Sequence, residues 1–241
     1  MAHCMRRHLI TFDTGLGKSA TAIRTICAHV WLDTQPNVLI VCPALVRKAW
    51  KEQIEEWWPE GSPQIGTIEV GRSSRSSTKA QRAAYSAPVQ IVGYELLDQV
   101  NQYWDAIVFD EAHFLRGVDS KRRNAAKALV ECNPDAMILG LPATLLPENP
   151  EDCYAVVDTI WPGRFGTKGK FNFRYKNVDQ GEYGPKYEGV NEKHQKELAF
   201  RLSSMQSRVT KESVGHLLQP LAFSVSREVS VPDPALHICY L

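Results

Sequence analysis

The sequence predicts an α/β chain: a mainly parallel sheet with helices on both faces, followed by a helical and irregular C-terminal extension. Three observations carry this prediction. The strand candidates, such as Val38-Leu39-Ile40-Val41-Cys42, are apolar throughout, as strands buried on both faces must be. They alternate with stretches whose apolar residues recur at helical spacing. A glycine-punctuated loop joins the first strand to the first helix.

The elements follow in order. Leu9-Ile10-Thr11-Phe12 reads as a short strand and leads into Asp13-Thr14-Gly15-Leu16-Gly17-Lys18-Ser19. From Lys18 to Trp31, Ala22, Ile23, Ile26, Val30 and Trp31 keep a helical period. Strand 38–42 is closed by Pro43. Val46 to Trp58 reads as a helix with Val46, Trp50, Ile54 and Trp57 on one face. Residues 65–70, 89–92, 106–109 and 136–141 are further strands, and 120–130 and 150–160 further helices. The polar, basic segment 71–82 reads as loop, then helix. Beyond Pro162 the texture changes: residues 163–189 are rich in glycine, basic and aromatic residues and lack clear periodicity. Helical patterning returns over 191–204, and the tail 229–241 is strand-like. A boundary is therefore placed at Pro162, giving residues 1–162 and 163–241.

Composition narrows the function classes. The chain has 241 residues, 44% of them hydrophobic and 23% charged, enough apolar content for a packed core. Lys and Arg total 28 against 27 Asp and Glu, a net charge of +1, so any basic surface must be local. No apolar run approaches the ~20 residues of a membrane span. The six cysteines are scattered without a Cys-x-x-Cys pair, which disfavours a zinc site and suits reduced thiols inside a cell.

Two motifs carry chemistry. Gly15-x-Gly17-Lys18-Ser19 lies between a strand and a helix. The backbone N–H groups of such a turn and of the helix start can cradle phosphate oxygens. Lys18 would reach the phosphates and the Ser19 hydroxyl would hold Mg²⁺. Phe12 stands where the strict Gly-x4-Gly-Lys-Ser/Thr pattern has its first glycine. The segment also fits Gly-x-Gly-x-x-Ala, ending at Ala20, a dinucleotide signature. That alternative wants a carboxylate at the end of the second strand, where Val41-Cys42-Pro43 stands.

The second motif is Asp110-Glu111-Ala112-His113 after Ala106-Ile107-Val108-Phe109. The C-terminal end of a parallel strand is where such sheets bind ligands. Asp110 would hold Mg²⁺ through water and Glu111 would polarise an attacking water. A plain acidic helix start, favoured by the helix dipole, is the competing explanation.

With these residues set out, a family resemblance emerges. Residues 13–19 resemble motif I of the Swi/Snf-type ATPases of helicase superfamily two. Val38–Val46 with Trp50 resembles motif Ia, Ile91–Leu97 motif Ib, and Asp110–Arg116 with Ser120-Lys121-Arg122 motif II. Leu141-Pro142-Ala143-Thr144 looks like motif III, although Pro142 replaces a usual Thr or Ser and Leu145 a usual Pro. Trp161–Gly166, Tyr183–Gly189 and Arg208–Glu212 resemble later family signatures.

The resemblance implies the first RecA-like P-loop NTPase lobe of an ATPase that tracks double-stranded DNA, with ATP and Mg²⁺ as cofactors. It implies nucleotide contacts at Thr14, Gly15, Leu16, Gly17, Lys18, Ser19 and Ala20, metal ligation at Ser19 and Asp110, and catalysis by Lys18, Asp110 and Glu111. His113 and Thr144 become candidates for coupling nucleotide to DNA. Arg47, Tyr94, Arg116 and Lys121 become candidate DNA contacts. The family's motifs IV to VI are absent, so a second RecA-like lobe is expected in trans or beyond this chain, with little turnover by the chain alone. A nucleotide- or DNA-binding module without turnover is the alternative from another class. An RNA-directed relative fits less well, given the residues from Trp161 onward. Two basic segments, with Arg72, Arg75, Lys79 and Arg82 and with Arg164, Lys168, Lys170, Arg174 and Lys176, suit phosphate contact. Phe165, Phe171, Phe173 and Tyr175 in the second would either stack on bases or pack beneath the loop.

Overall fold

The computed structural model describes residues 6–29, 36–58, 63–68, 84–100, 102–117, 120–143, 150–181 and 184–215. Segment 71–82, Thr144, Leu145 and the tail 229–241 lie outside the described residues.

Seven strands form one parallel sheet in the order β3-β4-β2-β5-β6-β1-β9. They are β1 (Arg7–Ile10), β2 (Val38–Val41), β3 (Ile65–Thr67), β4 (Val89–Val92), β5 (Ala106–Asp110), β6 (Met137–Leu141) and β9 (Gln206–Ser207). β2, β4 and β6 are buried at every position, so they are apolar except at Gln90 of β4, whose Nε2 donates to the Tyr85 and Ala87 carbonyls at 2.8 and 3.2 Å. Alternate residues of each strand feed two cores. Ile10, Val38, Ile40, Val89, Ile91, Ala106, Val108 and Leu139 pack with helices α1 (Lys18–His29) and α2 (Arg47–Trp57). Leu9, Leu39, Val41, Val92, Ile107, Phe109 and Ile138 face the other side. There they meet α3 (Lys121–Cys132), α4 (Pro150–Ile160), α5 (Lys168–Tyr175) and α6 (Glu192–Ser203).

The second face owes its close fit partly to Gly140 on β6. A Cβ there would sit 2.5 Å from Ile160 Cδ1 and 2.6 Å from Leu9 Cδ2, so a side chain would force both methyl groups to repack. On the same face, Asp158 of α4 binds Arg123 (2.5 Å) and Lys127 (2.8 Å) of α3 and accepts from the Gly163 amide at 3.0 Å. Burial alone would raise the Asp158 pKa; the two cations and the amide overcome it and hold it below the usual carboxylate range.

Two details differ from the sequence-based expectation. β1 begins and ends two residues earlier than the apolar run, because its pairing to β6 starts at Arg7↔Ile138. Beyond Ile10 the chain keeps only its other neighbour: the amides of Leu9, Thr11 and Asp13 donate to Met205, Ser207 and Val209 carbonyls at 3.0, 2.9 and 2.9 Å. The segment after Pro162 is not irregular throughout. Thr167 caps α5, accepting from the Lys170 amide, and a hairpin of β7 (Asn177–Gly181) and β8 (Gly184–Glu188) follows.

The compact unit holding the sheet spans Met1–Thr210. A second unit spans Lys211–Leu241, of which a short helix, α7 (Lys211–Val214), is described. Cys27, Cys42, Cys132 and Cys153 are free thiols. Among the described residues no helix is long and apolar enough to cross a membrane.

Candidate functional site

The glycine loop leaves the C-terminal end of β1. Gly15 (φ +88°) and Gly17 (φ +78°) both take left-handed backbone conformations. Space is not the reason for glycine here, since a Cβ on either would meet nothing within 4 Å; the dihedral is. Leu16 N–H donates to Asp13 O at 3.2 Å, and Thr21 N–H donates to Gly17 O at 2.9 Å in the first turn of α1. The amides of that turn precede the intrahelical ladder and face the open loop end, with the positive end of the helix dipole. Thr14, Gly15 and Gly17 are exposed, and Leu16, Lys18, Ser19 and Ala20 are half-buried. Lys18 Nζ turns back and donates to Phe12 O at 3.0 Å, across the loop.

The acidic pair ends β5, one strand beyond β6 from β1. Asp110 is held from three sides. Trp50 Nε1 donates to its Oδ2 at 2.8 Å, the Glu111 amide to its Oδ1 at 2.9 Å, and the Tyr94 hydroxyl to its backbone carbonyl at 2.7 Å. Burial pushes the Asp110 pKa upward and the neighbouring Glu111 adds to this. The Trp50 bond, the Glu111 amide and the Lys18 charge oppose them without prevailing.

Glu111 carries the only positive φ outside glycine among the described residues, at φ 48°, ψ 50°. That turn swings its side chain off the strand direction and starts the helical turn Ala112–Leu115. Its Oε2 lies 3.0 Å from His113 Nδ1. Burial raises the Cys42 thiol to about 12, and the Asp110 charge reinforces the shift. Tyr94 is pushed well above its ordinary value by burial first and the Asp110 charge second.

The structure thus brings Lys18, Asp110, Glu111 and His113 to one edge of the sheet. Trp50 and Tyr94 act there in ways the sequence did not reveal: both hold Asp110. The sequence signals for Trp50 were its place on the apolar face of a charged helix and its part in the motif Ia resemblance, neither of which points to Asp110.

The four candidate DNA contacts lie in different settings. Arg47 has an 11% exposed side chain that pairs with Glu95 at 2.8 Å and donates to Ile68 O at 3.0 Å. Tyr94 is buried and stacks on Phe114, with ring centroids 5.6 Å apart. Arg116 is half-buried and Lys121 exposed at the start of α3. In the second basic segment, Phe165, Phe171 and Tyr175 pack as core and only Phe173 is exposed. Lys168 and Lys176 pair with Glu151, and Arg174 with Glu197. Packing beneath the segment, rather than base stacking, accounts for three of its four aromatics.

A parallel sheet with a glycine loop after one inner strand and a carboxylate pair after another defines a RecA-like α/β lobe. The chain belongs to the SNF2-related domain family, whose model matches residues 2–239. Among its relatives, the SWI/SNF-related matrix-associated actin-dependent regulator of chromatin subfamily A-like protein 1 of Xenopus tropicalis is 29% identical over 217 residues, covering 88% of this chain and 21% of that protein. The DNA annealing helicase and endonuclease ZRANB3 of Homo sapiens is 28% identical over 227 residues, 89% of this chain and 20% of that one. The chain therefore spans about a fifth of the length of these relatives. The fold is that of the Sulfolobus solfataricus SWI2/SNF2 ATPase core in complex with dsDNA, with a TM-score of 0.65 and 22% identity over 86% of this chain and 42% of that one.

Proposed function

We propose that this chain is the ATP-binding lobe of a DNA-dependent ATPase that moves on double-stranded DNA, working with a second RecA-like lobe. The observation that supports this most directly is placement. The glycine loop follows β1 and the acidic pair ends β5, so both motifs sit at the C-terminal edge of the sheet with β6 between their strands. In this reading residues 1–162 are the nucleotide lobe and 163–241 its extension, whose strand β9 returns to the sheet beside β1.

The residues suit ATP with Mg²⁺. The loop glycines leave their amides accessible, and Lys18 supplies a cation that now rests on a carbonyl. Ser19 and Asp110 are hard oxygen donors of the kind Mg²⁺ prefers. When bound, Mg²⁺ would neutralise charge developing on the phosphates. Thr14 to Ala20 would bind the phosphates, with Lys18 released from Phe12 O. Glu111 would orient the attacking water and accept its proton, and His113 would hold the Glu111 carboxylate. Arg116 and Lys121 would meet DNA phosphates, while Arg47 and Tyr94 would act mainly by fixing the loops around Asp110. Binding through phosphates carries no base specificity. The protein would act inside the cell.

Nucleotide binding and phosphate release should be measured on the chain with and without duplex DNA. Lys18→Ala removes a charge-assisted contact worth about 1.5–3 kcal/mol and should weaken ATP binding by about 10–150-fold. Glu111→Gln should keep binding and lose the DNA-stimulated turnover. Binding with turnover still at background when the chain is joined to a second RecA-like lobe would favour a non-hydrolysing module. Stronger stimulation by duplex RNA would overturn the DNA assignment.

A further inference from the structure

At the opposite end of β1 from the glycine loop, Arg6, Arg7, Pro134, Trp161, Gly163 and Arg164 line an open recess of about 350 Å³. Three arginines are among the lining residues. Two are fixed by backbone carbonyls rather than carboxylates: Arg6 Nη1 donates to Asp135 O at 2.5 Å, and Arg7 Nη1 donates to Ile160 O at 2.7 Å, at the C-terminus of α4. A carbonyl anchor orients a guanidinium without neutralising it, and leaves its other N–H groups available. Among the described residues none of the three forms an ion pair. Asp158, the buried carboxylate at this end of α4, is already committed to Arg123, Lys127 and the Gly163 amide. Arg7 is half-buried, and burial shifts it downward with no carboxylate to offset the effect. Arg6 and Arg164 are exposed at the mouth. Like charges held together without a counterion favour an anion between them, and planar guanidinium forks match phosphate geometry.

We propose that this recess is a phosphate-binding site, separate from the nucleotide site and formed by Arg6, Arg7 and Arg164. The phosphate is either free or part of a nucleic-acid backbone. The site stands independently of the reading of the glycine loop, which lies at the other end of the strand.

The test uses the whole chain. Inorganic phosphate is titrated while the arginine side-chain N–H resonances are followed by NMR, and duplex DNA affinity is measured against salt. Phosphate should shift the Arg6, Arg7 and Arg164 signals in the wild type, and the paired substitution Arg6→Gln/Arg164→Gln should abolish the response of Arg7. Nucleotide binding should be unchanged by that substitution, which shows that the fold is retained. A salt slope for duplex DNA that falls by about one per lost phosphate contact would assign the phosphate to a nucleic-acid backbone. An unchanged slope with the phosphate response intact would assign it to free phosphate. Either result supports the site. No response to phosphate or DNA, a response that survives both substitutions, or tighter binding of polyglutamate than of phosphate would overturn it.

Discussion

The indole Nε1 of Trp50 donates to Asp110 Oδ2 at 2.8 Å, joining residues 60 positions apart in sequence. The bond fixes the carboxylate plane at the end of β5 and removes one of its acceptor positions from solvent. Trp50→Phe keeps the aromatic packing and deletes the donor. A hydrogen bond to a charged group is worth about 1.5–3 kcal/mol, so unfolding by denaturant should show a loss within that range. If Asp110 holds Mg²⁺, apparent Mg²⁺ affinity in the nucleotide-binding assay should fall by about 10–100-fold, as for other outer partners of metal ligands.

Asp110 also gives stability a pH signature. Its folded pKa is raised, so the folded state binds the proton more tightly than the unfolded one. Its contribution is full below the unfolded carboxylate range and is lost as pH rises through the raised value. Relative to Asp110→Asn, the wild type should gain stability as pH is lowered from neutral through that window. Paired urea titrations at several pH values would show it. A difference that is flat, or of opposite slope, would contradict the raised pKa.

The left-handed backbone at Glu111 reverses the usual ranking of glycine and alanine. An L-residue there costs roughly 1–2 kcal/mol, whereas glycine adopts the conformation freely. Glu111→Gly should therefore be more stable than Glu111→Ala by about 1 kcal/mol in thermal or urea unfolding, while both lose whatever chemistry the carboxylate performs. The strain would then be a cost the fold sustains for the position of that side chain.

Asp158 tests the far side of the sheet. Its side chain and that of Arg123 are 5% and 6% exposed, so removing the acid strands a buried cation. Asp158→Asn should cost about 3–5 kcal/mol. Arg123→Met/Asp158→Leu together should cost much less than either change alone. Because the Asp158 pKa is lowered, its contribution is present above the ordinary carboxylate range and is lost as pH falls through the folded value, opposite to Asp110.

How much was legible depended on whether side chains or backbone carried the information. β2, β4, β5 and β6 were visible because both faces are buried and nearly every side chain is apolar, Gln90 of β4 and the terminal Asp110 of β5 excepted. α4 was visible to the residue because Pro150 opens it and Pro162 follows its end. β1 was misplaced because Arg7 and His8 join the sheet through backbone pairing, which side-chain hydropathy does not report. The hairpin of β7 and β8 and the two-residue β9 were missed for the same reason. At the site, Lys18 and Asp110-Glu111 were found through local chemistry. The sign of φ at Glu111 and the long-range contacts of Trp50 and Tyr94 with Asp110 depend on tertiary structure. The basic and aromatic composition of 164–176 was visible, but not that Glu151 and Glu197 would pair with three of its cations.

The bonds from Leu9, Thr11 and Asp13 to the carbonyls of 205, 207 and 209 have a mechanical consequence. Tension drawing the chain leaving Val209 off the sheet falls first on the Asp13 bond, at the root of the glycine loop, and only then on Thr11 and Leu9. Pulled away from the sheet edge, the segment peels bond by bond from the loaded end; pulled along the strand axis, the three bonds share the load. A pull away from the sheet edge would therefore loosen the root of the glycine loop before disturbing either core.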